Sequence, residues 1–390
     1  MNTIVGIIGG GQIGKMIAQE ARRMAIEIVV LDPTPHCPAA AVATKQIVAD
    51  FKNQNALREL AESCDILTYE IELGDTEILK TLEIEGFKIF PAPETLRIIQ
   101  DKFLQKQYLK TYDIPVPEFF EILSREHLAE CISQIHFPAI LKLRKDSYDG
   151  RGNFTLKQID DLSSLLFTHS LNGNLSQRKY MLEKFVPFIK ELSVMVARNF
   201  EGEIQAYPVV ENIHEEHMLK MTIVPAQISK AIIEQAQRIA KRAIESLNGV
   251  GVFGVELFLC ANGELLINEI APRPHNSGHY TIEACDHSQF ELHLRSVLNL
   301  PLVPPLLLSP CVMLNIIGEG EEEHPYTIEG IKDVLAIPGV KLHLYGKKYL
   351  KKRRKLGHLT ILAPTVEEAL EKAGKVQQLI KVLPLVPDAK

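Results

Sequence analysis

Two glutamates, Glu256 and Glu269, flank the dipeptide Asn262-Gly263, each inside an apolar, partly β-branched run. Asn-Gly between such runs predicts a hairpin with a two-residue type I′ turn, which needs φ > 0 at both central residues. The register that follows sets Glu256 opposite Glu269. Opposed side chains lie about 4.5–5.5 Å apart at Cβ, and like charges there destabilise a sheet. Either each acid sits near a Lys or Arg on a solvated face, or a cation lies between them. Magnesium suits the second case, because it takes one or two carboxylates plus substrate phosphates. Directly after Glu269 come Ile270, Ala271-Pro272-Arg273-Pro274-His275-Asn276-Ser277-Gly278-His279, a loop dense in donors. Loops held by a rigid sheet are where binding groups concentrate.

A second candidate for phosphate chemistry lies at the start of the chain. Thr3–Ile8 reads as a buried strand, Gly9-Gly10-Gly11-Gln12-Ile13-Gly14 as a turn, Lys15–Met24 as a helix, and Glu27–Leu31 as a strand ending at Asp32. Gly9, Gly11 and Gly14 fit the dinucleotide fingerprint GxGxxG with an acid about 20 positions on. Three readings stay open: dinucleotide binding, another phosphate at the helix start, or a tight turn with close helix–sheet packing. The proline-rich segment after Asp32 and the acids Glu70, Glu72 and Asp75 argue against an anionic dinucleotide. A third candidate is Lys142, inside the apolar strand Phe137–Arg144, followed by Ser147-Tyr148-Asp149-Gly150-Arg151-Gly152 and then Asn153–Lys157. Such a hairpin tip either folds over phosphates or is a plain surface turn. The run Lys347-Lys348…Lys351-Lys352-Arg353-Arg354-Lys355 is either a solvated loop or a holder of substrate phosphate.

The elements that must position these groups divide the chain of 390 residues, which is too long for one ordinary core. Strands are expected at Ile66–Glu70 and Phe87–Phe90, and one helix over Glu94–Tyr112, before Pro115 and Pro117 mark a boundary. Residues 118–186 read as a smaller α+β unit ending in the strand Tyr180–Val186. Antiparallel pattern follows over Glu191–Arg198 and Glu203–Val210, with an amphipathic helix over Ser229–Leu247 and another from Ser288. The tail carries strands at Cys311–Ile317, Lys341–Tyr345 and Gly357–Ile361 and a helix over Val366–Val376. His287 and His293 read as surface or packing residues. A formal charge of −6 with no basic tail argues against bulk attraction to nucleic acid. No apolar run is long enough for a bilayer and no secretory signal opens the chain. Six scattered cysteines without CxxC indicate reduced thiols in a cytoplasmic protein and no zinc site.

Taken together the motifs resemble the ATP-grasp 5-(carboxyamino)imidazole ribonucleotide synthases of purine biosynthesis. The resemblance spans essentially the whole chain. It rests on Gly9–Met16, Tyr148–Gly152, Asn268–His279, Ser288–Glu291 and Arg354–His358. It implies an α/β and α+β protein of ATP-grasp fold: a Rossmann-like domain without dinucleotide (1–115), a small lid domain (116–186) and an antiparallel-sheet catalytic domain with a C-terminal extension (187–390). It implies ATP and Mg2+ as cofactors, with bicarbonate and 5-aminoimidazole ribonucleotide as further substrates, in a cytoplasmic homodimer. Lys102, Lys142 and the loop Ser147, Tyr148, Asp149, Gly150, Arg151, Gly152, Asn153 would meet the phosphates. Glu183, Lys184, Phe185 and Val186 would hold adenine, Glu191 the ribose, and His214, Asn268 and Glu269 the rest of the pocket. Glu256 and Glu269 would hold magnesium. Gln12, Tyr148, Asp149, Arg273, His275, Asn276, Ser277, Lys347 and Arg354 would meet the ribonucleotide, with Asp149, Arg151, Arg273 and Lys347 acting in the chemistry. Since Asn268 would point away from Glu269 in a regular strand, a bulge or a different role is expected there. Asp146-Ser147 stands where a glycine pair is usual, and His217 where a glycine is usual. Alternatives are a formate-using transformylase of the same fold, an NAD-dependent oxidoreductase and a non-catalytic ATP-binding regulator.

Overall fold

The computed structural model describes residues 3–145, 152–158, 160, 161, 179–320 and 322–385. The first unit is a parallel sheet in the order Lys45–Ile47, Glu27–Leu31, Ile4–Ile8, Ile66–Tyr69. All but the edge strand Lys45–Ile47 are largely apolar runs, because helices cover both faces. Val5 and Ile7 pack with the helix Gln12–Arg23, and Ile8 and Leu31 with the helix Gln54–Glu62. The strand expected over Phe87–Phe90 is reduced to one parallel bridge, Leu67 to Ile89. Pro91 follows at once and has no N–H to extend a ladder.

The single helix expected over Glu94–Tyr112 is two, Pro93–Gln100 and Lys102–Thr111. Asp101 breaks them. Its backbone is extended, and its carboxylate accepts from the amides of Phe103 and Leu104 while also receiving the Arg144 guanidinium. An N-cap of this kind starts a new helix as firmly as it ends the old one.

A small antiparallel sheet runs Phe119–Ile122, Tyr180–Lys184, Ala139–Leu143, Asn153–Leu156. The large antiparallel sheet runs Leu265–Ala271, Gly251–Cys260, Phe188–Arg198, Val210–Glu215, Met218–Val224, Cys311–Gly318, Arg354–Leu362, Val340–Leu344. Ile204–Ala206 pairs with Phe188–Arg198 off that path. The single strand expected over Glu203–Val210 is thus split, with Pro208 in the gap. The helix Lys230–Ser246 lays Ala236, Ile239, Ala240, Ala243 and Ile244 against the inner face of Leu192, Val194, Val255 and Leu257. The tail strands Cys311–Gly318, Arg354–Leu362 and Val340–Leu344 extend this same sheet, with the basic run connecting two of them, while Tyr326–Glu329 and Lys381–Pro384 pair separately. Among the described residues no helix is long and apolar enough to cross a membrane.

Candidate active site

The carboxylate hairpin does not have the expected turn. Cys260 donates to the carbonyl of Glu264 and Gly263 to that of Cys260, leaving a three-residue loop, Ala261 to Gly263. Only Gly263 of that loop has positive φ, at 83°. This is a type I turn closed by a left-handed residue. It alone would set Glu256 against Asn268. A β-bulge then adds one residue, so that the ladder runs Leu257 to Ile267 and next Glu256 to Glu269. The bulge falls at Asn268, one of the two outcomes expected. Its signal is visible in retrospect: Ile267 and Ile270, both buried, are three apart where a regular strand would space them by two.

The two carboxylates are therefore opposed, and their environments differ. Lys102 Nζ lies 2.5 Å from Glu269 Oε2 and is the main reason the Glu269 carboxyl is held down at about 2. Burial, and then Glu269 itself, push the Glu256 carboxyl up to about 7. Glu256 is approached by Asn268 Nδ2 at 3.4 Å and His275 Nε2 at 3.5 Å. Burial and the charge of Arg273 depress His275 to about 3, so it is a neutral neighbour at pH 7. Two hard oxygen donors whose repulsion is only partly offset make a donor set that fits Mg2+.

The helix Lys102–Thr111 supplies more than one lysine. Lys106 Nζ contacts Glu183 Oε2 at 2.8 Å and the carbonyls of Asn268 and Ile267 at 2.8 and 3.3 Å. Lys142 Nζ lies 2.6 Å from the other oxygen of Glu183. Burial opposes ionisation of Glu183, but Lys106 and Lys142 together hold its carboxyl low. The Glu183 side chain is thus committed to two lysines. Burial draws the Lys106 ammonium down to about 8. Gln105 pairs its amide with both backbone groups of Ile270. Neither Gln105 nor Lys106 was expected here. Their signal is the stripe Lys102, Gln105, Lys106, Leu109 at helical spacing, which turns polar groups toward the interior.

Beyond Glu183, Lys184 lies 3.7 Å from Glu118. Phe185 is exposed, and Val186 is buried where the chain crosses from the small sheet to the large one. Lys142 pairs with Asn153, and Gly152 accepts from the amide of Leu143. Asn153 Oδ1 is buried without a hydrogen bond. Ser147, Tyr148, Asp149, Gly150 and Arg151 lie outside the described residues.

On the same face Glu191 meets His214, and this contact raises the imidazole against the pull of burial. A chain of short hydrogen bonds runs from Thr222 to Asn212 (3.1 Å), Ser193 (2.7 Å), Ser277 (2.8 Å) and His275 (2.9 Å). It fixes the loop after Glu269 to three strands; Ser193 and Asn212 carried no distinguishing sequence signal. Asn276 exchanges two amide bonds with Asn315, at 3.0 and 2.8 Å. Gln289 receives the amide of His275 and donates to its carbonyl. Arg273 Nη2 is 2.8 Å from Glu72 Oε1, which brings the first domain to the site. Lys347 lies over the Tyr345 ring, and its charge with that of Arg273 reaches Glu70. Gln12 opens the helix of the glycine loop, and Arg354 starts a strand and donates to the carbonyl of Tyr349.

The glycine loop itself is filled from within. The amide of Gly10 donates to Asp32 Oδ2, and those of Gly11 and Gly14 to the two oxygens of Glu70, at 2.9, 2.8 and 2.7 Å. The amides that would cradle a dinucleotide pyrophosphate already hold the protein's own carboxylates.

Residues 1–100 match the ribonucleotide synthetase preATP-grasp domain, residues 107–290 the ATP-grasp domain, and residues 311–372 the phosphoribosylaminoimidazole carboxylase C-terminal domain. The crystal structure of N5-carboxyaminoimidazole ribonucleotide synthetase from Thermotoga maritima is 46% identical, with a TM-score of 0.89 over 98% of this chain and 99% of that one. The chain belongs to the N5-carboxyaminoimidazole ribonucleotide synthase family. With the family goes the ATP-grasp fold, preceded by the Rossmann-like sheet. The synthase from Aspergillus clavatus, in complex with ADP and 5-aminoimidazole ribonucleotide, is 36% identical with a TM-score of 0.87 over 97% of this chain and 98% of that one. Phosphoribosylaminoimidazole carboxylase from the chloroplast of Vigna aconitifolia is 43% identical over 93% of this chain and 64% of that protein. The chain spans 64 to 70% of the length of the plant and fungal carboxylases it matches.

Proposed function

We propose that this chain carboxylates 5-aminoimidazole ribonucleotide, using ATP and bicarbonate, to N5-carboxyaminoimidazole ribonucleotide, ADP and phosphate. The observation that carries the reading is the opposed pair Glu256 and Glu269 between two anchored lysines, Lys102 and Lys142, beside a loop tied to the first domain through Arg273. The relative with ADP and aminoimidazole ribonucleotide bound supports it.

The physical demand is to bring anions together. A bicarbonate oxygen attacks the γ-phosphorus, the bond to the β-phosphate oxygen breaks, and ADP leaves. The amine nitrogen then bonds to the carboxyl carbon of carboxyphosphate, or to CO2 released from it; phosphate departs and the nitrogen loses a proton. Lys102 and Lys142 hold the phosphate oxygens in line, and positioning of this kind supplies most of the rate in phosphoryl transfer. Glu256 and Glu269 would hold Mg2+, which when bound offsets charge developing on the phosphoryl oxygens. Arg273 and Lys347 hold the ribonucleotide's anionic end, and His275, kept neutral and oriented by Ser277, donates or accepts at its ring without adding charge. Glu191 and His214 form the ribose side, with adenine against the segment Glu183 to Val186. Asp149 and Arg151, which lie outside the described residues, would orient the amine and the carboxyphosphate. The assembly is a homodimer in the cytoplasm, a reading supported by the family resemblance and by six free thiols.

The test is release of phosphate from ATP with bicarbonate, with and without aminoimidazole ribonucleotide, and transfer of labelled bicarbonate into acid-labile product. Stimulation by the ribonucleotide is expected. Its absence, or activity with formate in place of bicarbonate, overturns the reading.

A further inference from the structure

The strand Leu265–Ala271 is an edge of the large sheet. Its outward backbone groups have no neighbouring strand to pair with, and left buried they would each cost free energy comparable to a lost hydrogen bond. The helix Lys102–Thr111 and the segment behind it serve as the missing neighbour. Pro115 accepts from the amide of Ile267, Gln105 takes both groups of Ile270, and Lys106 takes the carbonyls of Ile267 and Asn268. Lys106 therefore grips the two carbonyls at the bulge itself.

That bulge decides which face Glu269 occupies. Without the extra residue Glu269 would oppose Val255 and point into the apolar face, since a slip by one residue reverses every side chain. Bulges locally disrupt the ladder, so something outside it must hold this one. Lys106 uses its three donors on Asn268, Ile267 and Glu183, and Glu183 also receives Lys142. One buried ammonium thus links the bulge to the strand Tyr180–Lys184 of the small sheet. Stability alone does not call for a charge here. Desolvating an ammonium consumes much of what its contacts return, and an apolar side chain of similar shape serves a core as well.

We propose that Lys106 is a positioning residue for the divalent cation: it clamps the bulge at Asn268 and so keeps Glu269 turned toward Glu256. This rests on the reading of those two glutamates as the cation's ligands. The experiment uses the full chain with ADP and Mn2+ as the probe, read by electron paramagnetic resonance, beside thermal melts and the KM for aminoimidazole ribonucleotide. Lys106→Met is expected to weaken Mn2+ binding about tenfold, the scale of losing a supporting contact behind a metal ligand, while the ribonucleotide KM stays within about twofold. Lys106→Gln, which keeps a donor, recovers part of the loss; should Lys106→Met not fold, the glutamine variant must still bind Mn2+ more weakly than the parent. Unchanged Mn2+ binding in the folded variants, whatever the melt does, overturns the proposal. Glu269→Gln separates the two ways to fail. If it weakens Mn2+ binding and Lys106→Met does not, Lys106 has no positioning role. If neither does, the cation reading itself is wrong and the proposal falls with it.

Discussion

Two regions of this molecule use the same side-chain group to opposite ends. In the first domain, Asp32 and Glu70 point into the glycine loop and accept from the amides of Gly10, Gly11 and Gly14. In the hairpin, Glu256 and Glu269 point at one another. The first arrangement satisfies every participant and leaves a closed, structural turn that has the form of a phosphate-binding fingerprint. The second leaves an excess of negative charge that Lys102 pairs directly on the Glu269 side only. A carboxylate becomes structure or chemistry according to what it faces, and the spacing of a motif does not record that.

The largest test of the contrast is Glu269→Gln. It should lower ribonucleotide-stimulated ADP formation by at least about 10²-fold, the scale of losing one preorganised electrostatic group, with the thermal melt little changed. A variant that keeps a third of its turnover would mean that the opposed pair is as structural as the glycine loop. The reverse is expected of Glu70→Gln. Its cost should fall on folding, about 2 kcal/mol in urea titrations from weakening charge-assisted bonds to two amides. An unchanged urea midpoint would show that Glu70 does not hold the loop shut.

The regions meet at His293. Its Nδ1 lies 3.1 Å from the amide of Val252, at the start of the hairpin, and its Nε2 lies 2.9 Å from Thr68 Oγ1, in the parallel sheet. The amide requires Nδ1 to be an unprotonated acceptor, and burial lowers the imidazole to about 3. Between the unfolded value near 6.5 and 3, the unfolded chain binds a proton that the folded chain does not. Stability is therefore lost as pH falls through that window, by about 1.4 kcal/mol per pH unit for this one proton. His293→Gln keeps a donor and an acceptor and should reduce the slope between pH 6 and 4.5 by that amount. An unaltered slope would mean that the junction titrates through other groups.

Much of this is legible in the sequence. Continuous apolar runs gave three of the four parallel strands, while the polar edge strand Lys45–Ile47 carried no such signal, and the opposed glutamates followed from a hairpin signal. The detail failed wherever a tertiary contact outvoted a local preference. Asp101 splits a helix because Arg144, just past the strand Ala139–Leu143 and 43 residues away in sequence, needs its carboxylate. Lys106 reads as a solvated helix residue until the edge strand beside it is known. The hairpin register came out right through two departures that compensate: the turn has one residue more than Asn-Gly predicts, and the bulge at Asn268 adds one on the other side. The type I′ turn does occur, but between Val210–Glu215 and Met218–Val224, where Glu216 and His217 both have positive φ, 48° and 66°. That conformation explains why a glycine is usual at position 217, and why nothing in Glu-His announces it.

The two turns give the smallest and most direct comparison, because both hold a left-handed residue, one a glycine and the other a histidine. A Cβ added at Gly263 would find open space, with Ile232 Cδ1 nearest at 3.8 Å, so Gly263→Ala meets no clash and the cost is conformational. Left-handed backbone costs an L residue about 1 kcal/mol, and that much destabilisation is expected in urea titrations. His217→Gly should do the opposite and stabilise by about 0.5 kcal/mol, since glycine adopts φ of 66° freely but loses more chain entropy on folding. Opposite signs from the two substitutions would show that backbone conformation governs both hairpins. Equal signs would mean that a side-chain contact of His217 outweighs its strained φ, and that the departure from glycine there is itself part of the fold.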